Sequence, residues 1–392
     1  MRLFAILFLF GWVIQSCQSP KESPVKIDTD IYAEIQQALL DAEPGDTVFF
    51  PKGKFEFDRP LSLEGVENVT LLGAGMDATI LSFKGQKTGA EGLRITADQV
   101  VLQDFTVVDS KGDAIKLIDC DGITIRSVKT TWSGGSLESN GGYGLYPVSS
   151  KNVLIEKCEA WFASDAGIYV GQCEDVIVRN NLASGNVAGI EIENCIRSTV
   201  YQNTAEGNTG GILIFNLPDL PAGNGKEAKI FQNIIRGNNL KNFAPAGNIV
   251  ASVPPGTGII LLAAEEVEIF NNEIIDHKTM GVSIASYSIF DLPWEDQEFD
   301  PFTKSVTLFN NTYQRKKTLP DFTSDFGRMI NFLFPGKPQD IIYDGIFPEG
   351  TEGVNPMKIC INEKQDDLRF ASVDFAHEFE HVNQNISDFA CK

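Results

Sequence analysis

Histidine is nearly missing from this chain. Only His277, His377 and His381 occur in 392 residues, which all but excludes imidazole-based acid/base work along its length, leaving Tyr, Lys, Arg and carboxylates as the chemistry at hand. Basic residues are also scarce: Lys and Arg number 32 against 53 Asp and Glu, a net charge of −21. A nucleic acid would meet repulsion with no basic stripe to offset it, so that partner class is set aside. Long apolar runs are absent beyond the N-terminus, which leaves no candidate transmembrane helix. With 43% hydrophobic and 22% charged residues the chain can bury a sizeable core, and general disorder is excluded.

The N-terminus reads as a targeting segment. Arg2 precedes the apolar stretch from Leu3 to Ile14, too short to span a bilayer. Ile14, Gln15, Ser16 and Cys17 follow, a branched apolar residue, a polar one, a small one and a cysteine. This is similar to the lipobox of bacterial lipoproteins and makes Cys17 the expected lipidated first residue after a signal peptide at 1–16. Membrane attachment is then expected through the lipid alone, because the chain's charge opposes anionic headgroups. Gln18 is compatible with sorting to the outer membrane, so the expected location is the cell envelope.

The middle of the chain repeats. Segments such as VVLQDF from Val100, VLIEKC from Val153, VIVRNN from Val176 and VEIFNN from Val267 start at intervals of 31, 23, 30, 23, 22, 30, 39 and 39 when the full series is followed from Val69 to Val306. A second series, Leu93, Ile115, Leu145, Ile168, Ile190, Ile212, Ile259 and Val282, has intervals of 22, 30, 23, 22, 22, 47 and 23. Two series sharing a period of 22 or 23 point to one structural unit repeated, with insertions in some turns. Alternation as in Ile190-Glu191-Ile192 is that of short strands with one face buried. A unit this small cannot close a core alone and must stack on its neighbours. Leucine-rich repeats of similar length need a regular leucine pattern and a helical return limb, and neither is present. The pattern predicts a right-handed parallel β-helix of about ten coils, rising ~4.8 Å per coil.

Asn181, Asn203, Asn233, Asn272 and Asn311 occupy one position of the repeat and predict a scaffold ladder. A helix carrying Ile31, Ile35, Ala38, Leu39 and Ala42 on one face, with Asp28 or Asp30 as N-cap, is expected to cover the open first coil. The domain reading is a linker at 17–27 after the lipidated cysteine, the β-helix with its cap at 28–311 and an irregular C-terminal cap at 312–392. Cys360 and Cys391 flank that last segment and are a credible disulfide in an exported protein.

The run from Ile35 to Gly75 resembles the opening coil of the right-handed β-helix superfamily that includes pectate lyases, alginate lyases and epimerases. The run from Gly142 to Leu217, with "SDAGIYVGQCEDVIVRNN" and "TGGILIFNLP", resembles more closely a family of bacterial parallel β-helix repeat lipoproteins, which implies the fold and an envelope setting but no established activity. The catalytic signatures of the enzymes are not reproduced. The string nearest to the Asp-Pro-His-Asp of alginate epimerases is Ser164-Asp165-Ala166-Gly167, and the Asn-Thr-Asp, paired aspartates and Gly-His-Gly of polygalacturonases have no counterpart.

Aligning the second series stacks Lys116, Tyr146, Tyr169, Glu191 and Leu213 on what the alternation makes an outward face. Lys116, Tyr146 and Tyr169 are the candidate catalytic residues, since β-elimination from a uronate needs a base for the C5 proton, a general acid and a cation for the carboxylate. Asp165, Glu191 and Glu193 are candidate substrate contacts and candidate Ca²⁺ ligands, since an acidic protein that binds an acidic glycan almost requires a bridging cation. Trp132 and Trp161 are candidate sugar-stacking platforms, and the insertions at 132–142, 218–226, 238–255 and 288–304 are expected to gather at the binding face. The expected function is polysaccharide binding by an envelope lipoprotein, and the sequence leaves open whether the ligand, an acidic glycan, is also turned over by a lyase or epimerase reaction. The alternative is a non-catalytic scaffold that docks another envelope protein. His377-Glu378-Phe379-Glu380-His381 spells a zinc-protease signature, but only eleven residues follow and none supplies a third ligand in the required place.

Overall fold

The computed structural model describes residues 27–316 and 321–391. The segment expected to be a signal peptide, Cys17 and nearly all of the expected linker lie outside the described residues.

Alternating apolar residues along short segments force one face of each strand inward, and the chain satisfies this by coiling. Among the described residues the strands form an eleven-stranded and a nineteen-stranded parallel sheet. The second sheet is two faces joined at a corner, because Asp121–Thr131 pairs with Lys151–Glu156 through its first half and with Glu159–Trp161 through its second. Three faces thus enclose one core. The second sequence series is a register line of the eleven-stranded sheet: Leu93 pairs Ile115, then Leu145, Ile168, Ile190, Ile212, Ile259 and Val282 follow in turn. Every residue of that line is fully buried.

The corners explain the rest of the repeat. Asn181, Asn203, Asn233, Asn272 and Asn311 are buried, and from Asn203 onward each side-chain oxygen accepts from the backbone and side-chain amides of the preceding member of the row, while that of Asn181 accepts from the Cys158 amide. A second ladder at another corner, Asn186, Asn208 and Asn238, repeats the arrangement, and His277 takes the next rung with Nε2 on the Ile235 carbonyl at 3.1 Å. Burial lowers the pKa of His277 to about 4, so its ring is neutral and structural. Gly211 stands where the chain turns into its strand, and a Cβ there would sit 2.5 Å from the Gly258 carbonyl oxygen. Outside the larger sheet, Tyr201, Phe231, Phe270 and Phe309 stack face to face at 4.8–4.9 Å, so their ring faces are already occupied.

The helix Thr29–Leu40 covers the first coil with Ile35 and Leu39 buried. Asp28 precedes it but makes no cap bond, and its carboxylate accepts from the Glu56 amide instead. Beyond Asn311 the coils continue, which the sequence reading does not anticipate. Gln339–Tyr343 and Phe370–Ser372 extend one sheet and Ile359–Asn362 the other, and the interval of 59 from Val282 to its partner Ile341 hides the period. Cys360 and Cys391 are bonded, with Cα atoms 4.8 Å apart and 31 residues of separation. Replacing Cys391 by serine is expected to lower stability by about 3.7 kcal/mol in chemical denaturation, the cost of freeing a loop of that length.

Candidate functional site

The register places Arg94, Lys116 and Tyr146 on successive strands of the eleven-stranded sheet, and Tyr169, Glu191 and Leu213 continue the same outer row. The row is as the alternation predicts, but the face is not open. Tyr169, Asp165, Glu191 and Glu193 are buried, and Leu213 is wholly so. The reason is the insertions: Val250 and Val253 from one, and Tyr287 and Phe299 around another, join Tyr169, Ala188, Leu213 and Phe215 in a second apolar cluster outside the sheet. Instead of lining an exposed groove, the loops roof most of the row. Only its beginning reaches solvent, where Arg94 is exposed and Lys116, Tyr146, Tyr143 and Asp113 are half-buried.

At this edge Tyr143, Tyr146 and Tyr169 form a three-ring cluster with centroids 4.5–4.9 Å apart. Lys116 Nζ lies 4.6 Å from the Tyr146 ring centroid and 3.9 Å from Asp113 Oδ2. Burial pushes the Asp113 carboxyl up to about 6, with Lys116 opposing the rise and Glu91 adding to it. Asp165 is pushed up to about 7 by burial and the Glu193 charge, while hydrogen bonds with Tyr143 and Asn248 pull it back. Glu191 stands well above the ordinary carboxylate range through burial and then its acidic neighbours, and its Oε2 has no hydrogen-bond partner. Burial also raises Tyr146 to about 12, and Tyr143 and Tyr169 further still. The phenols are therefore proton donors at neutral pH, and the carboxyls are the groups poised between acid and base.

Several sequence expectations change. Tyr169 is not a free catalytic hydroxyl, since it is buried and donates to Glu193 Oε1 at 2.5 Å. The Ca²⁺ reading of Asp165, Glu191 and Glu193 does not fit: among the described residues no group of three or more His, Cys, Asp or Glu is placed to hold a metal ion. Asp165 answers Tyr143 and Asn248, and Glu193 answers Tyr169, while Glu191 Oε2 stays without a partner. Trp132 is no platform, being buried with Nε1 donating to the Ser110 carbonyl. Trp161 is half-buried under Lys129, and its strand belongs to the other sheet. His377 lies in a single 3-10 turn and pairs with Asp374, so the protease signature has no helix to present it.

Tyr143 and Asp113 are site residues that the sequence reading misses. Both precede their strands and so fall outside the two-residue alternation, although each sits two positions before the register line. A larger cavity of about 760 Å³ lies farther along the same outer face under the helix Asp325–Leu333, lined by residues such as Phe215, Ile260, Leu262, Phe326 and Phe379. Its buried carboxylate, Asp344, is answered by the amides of Ser286 and Ile346, so the larger space carries less chemistry than the tyrosine edge.

Residues 69–224 match the family described as the right handed beta helix region. The fold of this chain is the right-handed parallel β-helix. Among solved structures, the A-module of the mannuronan C-5 epimerase AlgE6 of Azotobacter vinelandii matches the β-helix with a TM-score of 0.51 and 17% identity, over 89% of this chain and 92% of that one. The corresponding module of AlgE4 from the same organism gives 0.49 and 16%, over 86% and 91%. A polygalacturonase from Erwinia carotovora gives 0.47 and 11%, over 72% and 89%. At these identities the likeness is one of fold. No curated protein sequence matches this chain.

The raised carboxyls make a pH prediction. Asp113 and Asp165 have folded values of about 6 and about 7 against an ordinary 3.8, so the folded state holds their protons more tightly than the unfolded chain. Their contribution is fully present below about pH 4 and is lost as pH rises through 6 to 7. Asp165→Asn is expected to flatten the fall in denaturant midpoint over that window. An unchanged slope would mean that the carboxyl is not held protonated.

Proposed function

We propose that the solvent-reaching edge of this site binds an acidic polysaccharide and transfers the C5 proton of a uronate sugar, as a lyase or an epimerase. The observation that carries this reading is the pairing of carboxyls raised to about 6 and 7 with protonated tyrosines beside one lysine. A base near neutrality and an acid that keeps its proton are what C5 chemistry requires. In this reading Asp113 is the base, Lys116 meets the sugar carboxylate and steadies the charge that spreads onto it when the proton leaves, and Tyr146 is the acid. Tyr143 and Asp165 stand behind them as a hydrogen-bonded pair.

In β-elimination Asp113 takes the C5 proton, the electron pair forms the C4–C5 double bond, the C4–O bond breaks, and Tyr146 protonates the departing oxygen. In epimerisation the same carbanion is protonated from the opposite face and nothing else is consumed. The net charge of −21 does not forbid such a ligand. Glu191 and Asp165, raised by burial, contribute little negative charge where the sugar would lie, and Lys116 offsets the charge of Asp113, so no bridging cation is required.

A non-catalytic scaffold is the second reading, favoured by the roof of Val250 and Val253 over the row. The reading also includes export and a lipid anchor at Cys17 in the cell envelope, tested by fatty-acid labelling of wild type and Cys17→Ser. Among the described residues no helix is long and apolar enough to cross a membrane. For turnover the test is incubation with mannuronan, polygalacturonate and neutral glycans, following unsaturated ends by absorbance and sugar configuration by NMR. Change confined to the polyuronates supports the proposal. Binding without change on any substrate would move the function to the scaffold.

A further inference from the structure

Arginines on the outside of this fold are almost all engaged. Arg126 and Arg179 share Glu156, Arg197 pairs with Glu174 and Asp175, Arg236 with Glu206, and Arg315 with Asp340 and Asp367. Arg59 and Arg328 hold their neighbouring aspartates, and Arg369 donates to the Pro338 carbonyl. Among the described residues Arg94 is the arginine with neither an ion pair nor a side-chain hydrogen bond, in a chain with 53 acidic residues to choose from. It is exposed, and its register partner is Lys116, the cation of the candidate site.

Two like charges placed directly opposite on adjacent strands, ~4.8 Å apart, repel each other. The Lys116 ammonium is partly offset by Asp113 and the Tyr146 ring. Arg94 has no such offset. The guanidinium is the side chain best shaped to take a carboxylate through two parallel hydrogen bonds. Its position one coil before Lys116 is the position of the next sugar of a chain running along the helix axis.

We infer that Arg94 is a second carboxylate subsite, so that the edge reads two successive uronates rather than a single acidic sugar. This rests on the proposed polyuronate function and deepens it: the preferred ligand is a contiguous oligouronate, with one carboxylate on Lys116 and the next on Arg94. A polymer in which acidic and neutral sugars alternate would leave one cation unanswered.

The test is calorimetric titration of the full chain with mono- and oligomannuronate, and with the oligomer after reduction of its carboxyls to alcohols, for wild type, Arg94→Gln and Arg94→Lys. Arg94 is exposed, so the variants are expected to melt with the wild type. The inference predicts that Arg94→Gln weakens the oligomer about tenfold or more, as loss of a charge-assisted pair should, while leaving the monomer unchanged. Arg94→Lys should recover part of the loss, and the reduced oligomer should bind no variant. Oligomer binding to wild type that is equal in Arg94→Gln would overturn the subsite while leaving the proposed function standing. An equal loss for monomer and oligomer would put Arg94 on the same carboxylate as Lys116 and overturn the two-sugar reading. Failure of wild type to bind any of these probes would overturn the proposed function and this inference with it.

Discussion

Asn203→Ala is expected to cost about 4 kcal/mol, far more than a typical polar substitution. The side chain donates to the Val178 carbonyl and to Asn233 Oδ1, and accepts from both the backbone and the side-chain amide of Asn181, at 2.9–3.0 Å. All four contacts are buried. Truncation leaves orphaned donors and acceptors on the coils to either side, each costing roughly 1 kcal/mol or more. The damage therefore spans three coils, although one residue is changed. Denaturant unfolding with Asn362→Ala as control checks this, since Asn362 is exposed on its strand and should change stability by less than about 0.5 kcal/mol. Amide exchange should show protection falling together in the coils around Asn181, Asn203 and Asn233. Equal costs for the two variants would contradict the ladder as a source of stability.

The second large effect is chemical. Asp113→Asn and Tyr146→Phe are each expected to reduce polyuronate turnover by about a hundredfold or more, the usual contribution of a positioned acid or base, with affinity within about threefold of wild type. The amide cannot take a proton, and the phenyl ring cannot give one. Each change is small in volume at a half-buried position, so the fold should tolerate it. Tyr169→Phe tests the correction made above: its hydroxyl is committed to Glu193 and buried, so its loss should act on stability and leave turnover within about tenfold of wild type. A loss at Tyr169 as deep as that at Tyr146 would restore it as a catalytic group.

The scaffold is written in the sequence because its constraints recur. Every coil needs an inward Ile, Leu or Val at the same register, and the three-dimensional partners of Ile168, Ile190 and Ile212 are the residues that the period selects. The asparagine ladder is legible for the same reason. Gly167, Gly189, Gly211, Gly258 and Gly281 precede that register because the next coil leaves no room for a Cβ. The site is only half legible. Periodicity brings Lys116, Tyr146, Tyr169 and Glu191 into one row, but it assigns the row to solvent, since alternation distinguishes inside from outside and cannot tell that a loop returns. Whether Val250 and Val253 fold over Leu213 depends on contacts between residues far apart in sequence, with no period to reveal them. The same roof that hides Tyr169 raises the carboxyls, so the chemistry of the site is set by residues that carry none of it. Trp132 and Trp161 mislead for a related reason: similar offsets do not give them one environment, since Trp132 follows its strand and turns into the core while Trp161 ends a strand of the sheet to which the tyrosines do not belong.

The claim that this edge moves a C5 proton is tested most directly by following solvent deuterium into the substrate. Incubated with mannuronan in D₂O at neutral pH, wild-type protein is predicted to place deuterium at C5 or to release unsaturated ends, and Asp113→Asn to do neither at a comparable rate. Full retention of the C5 proton by wild type, with no unsaturated product and with the polymer demonstrably bound, would contradict the account and leave the tyrosine edge as a binding surface.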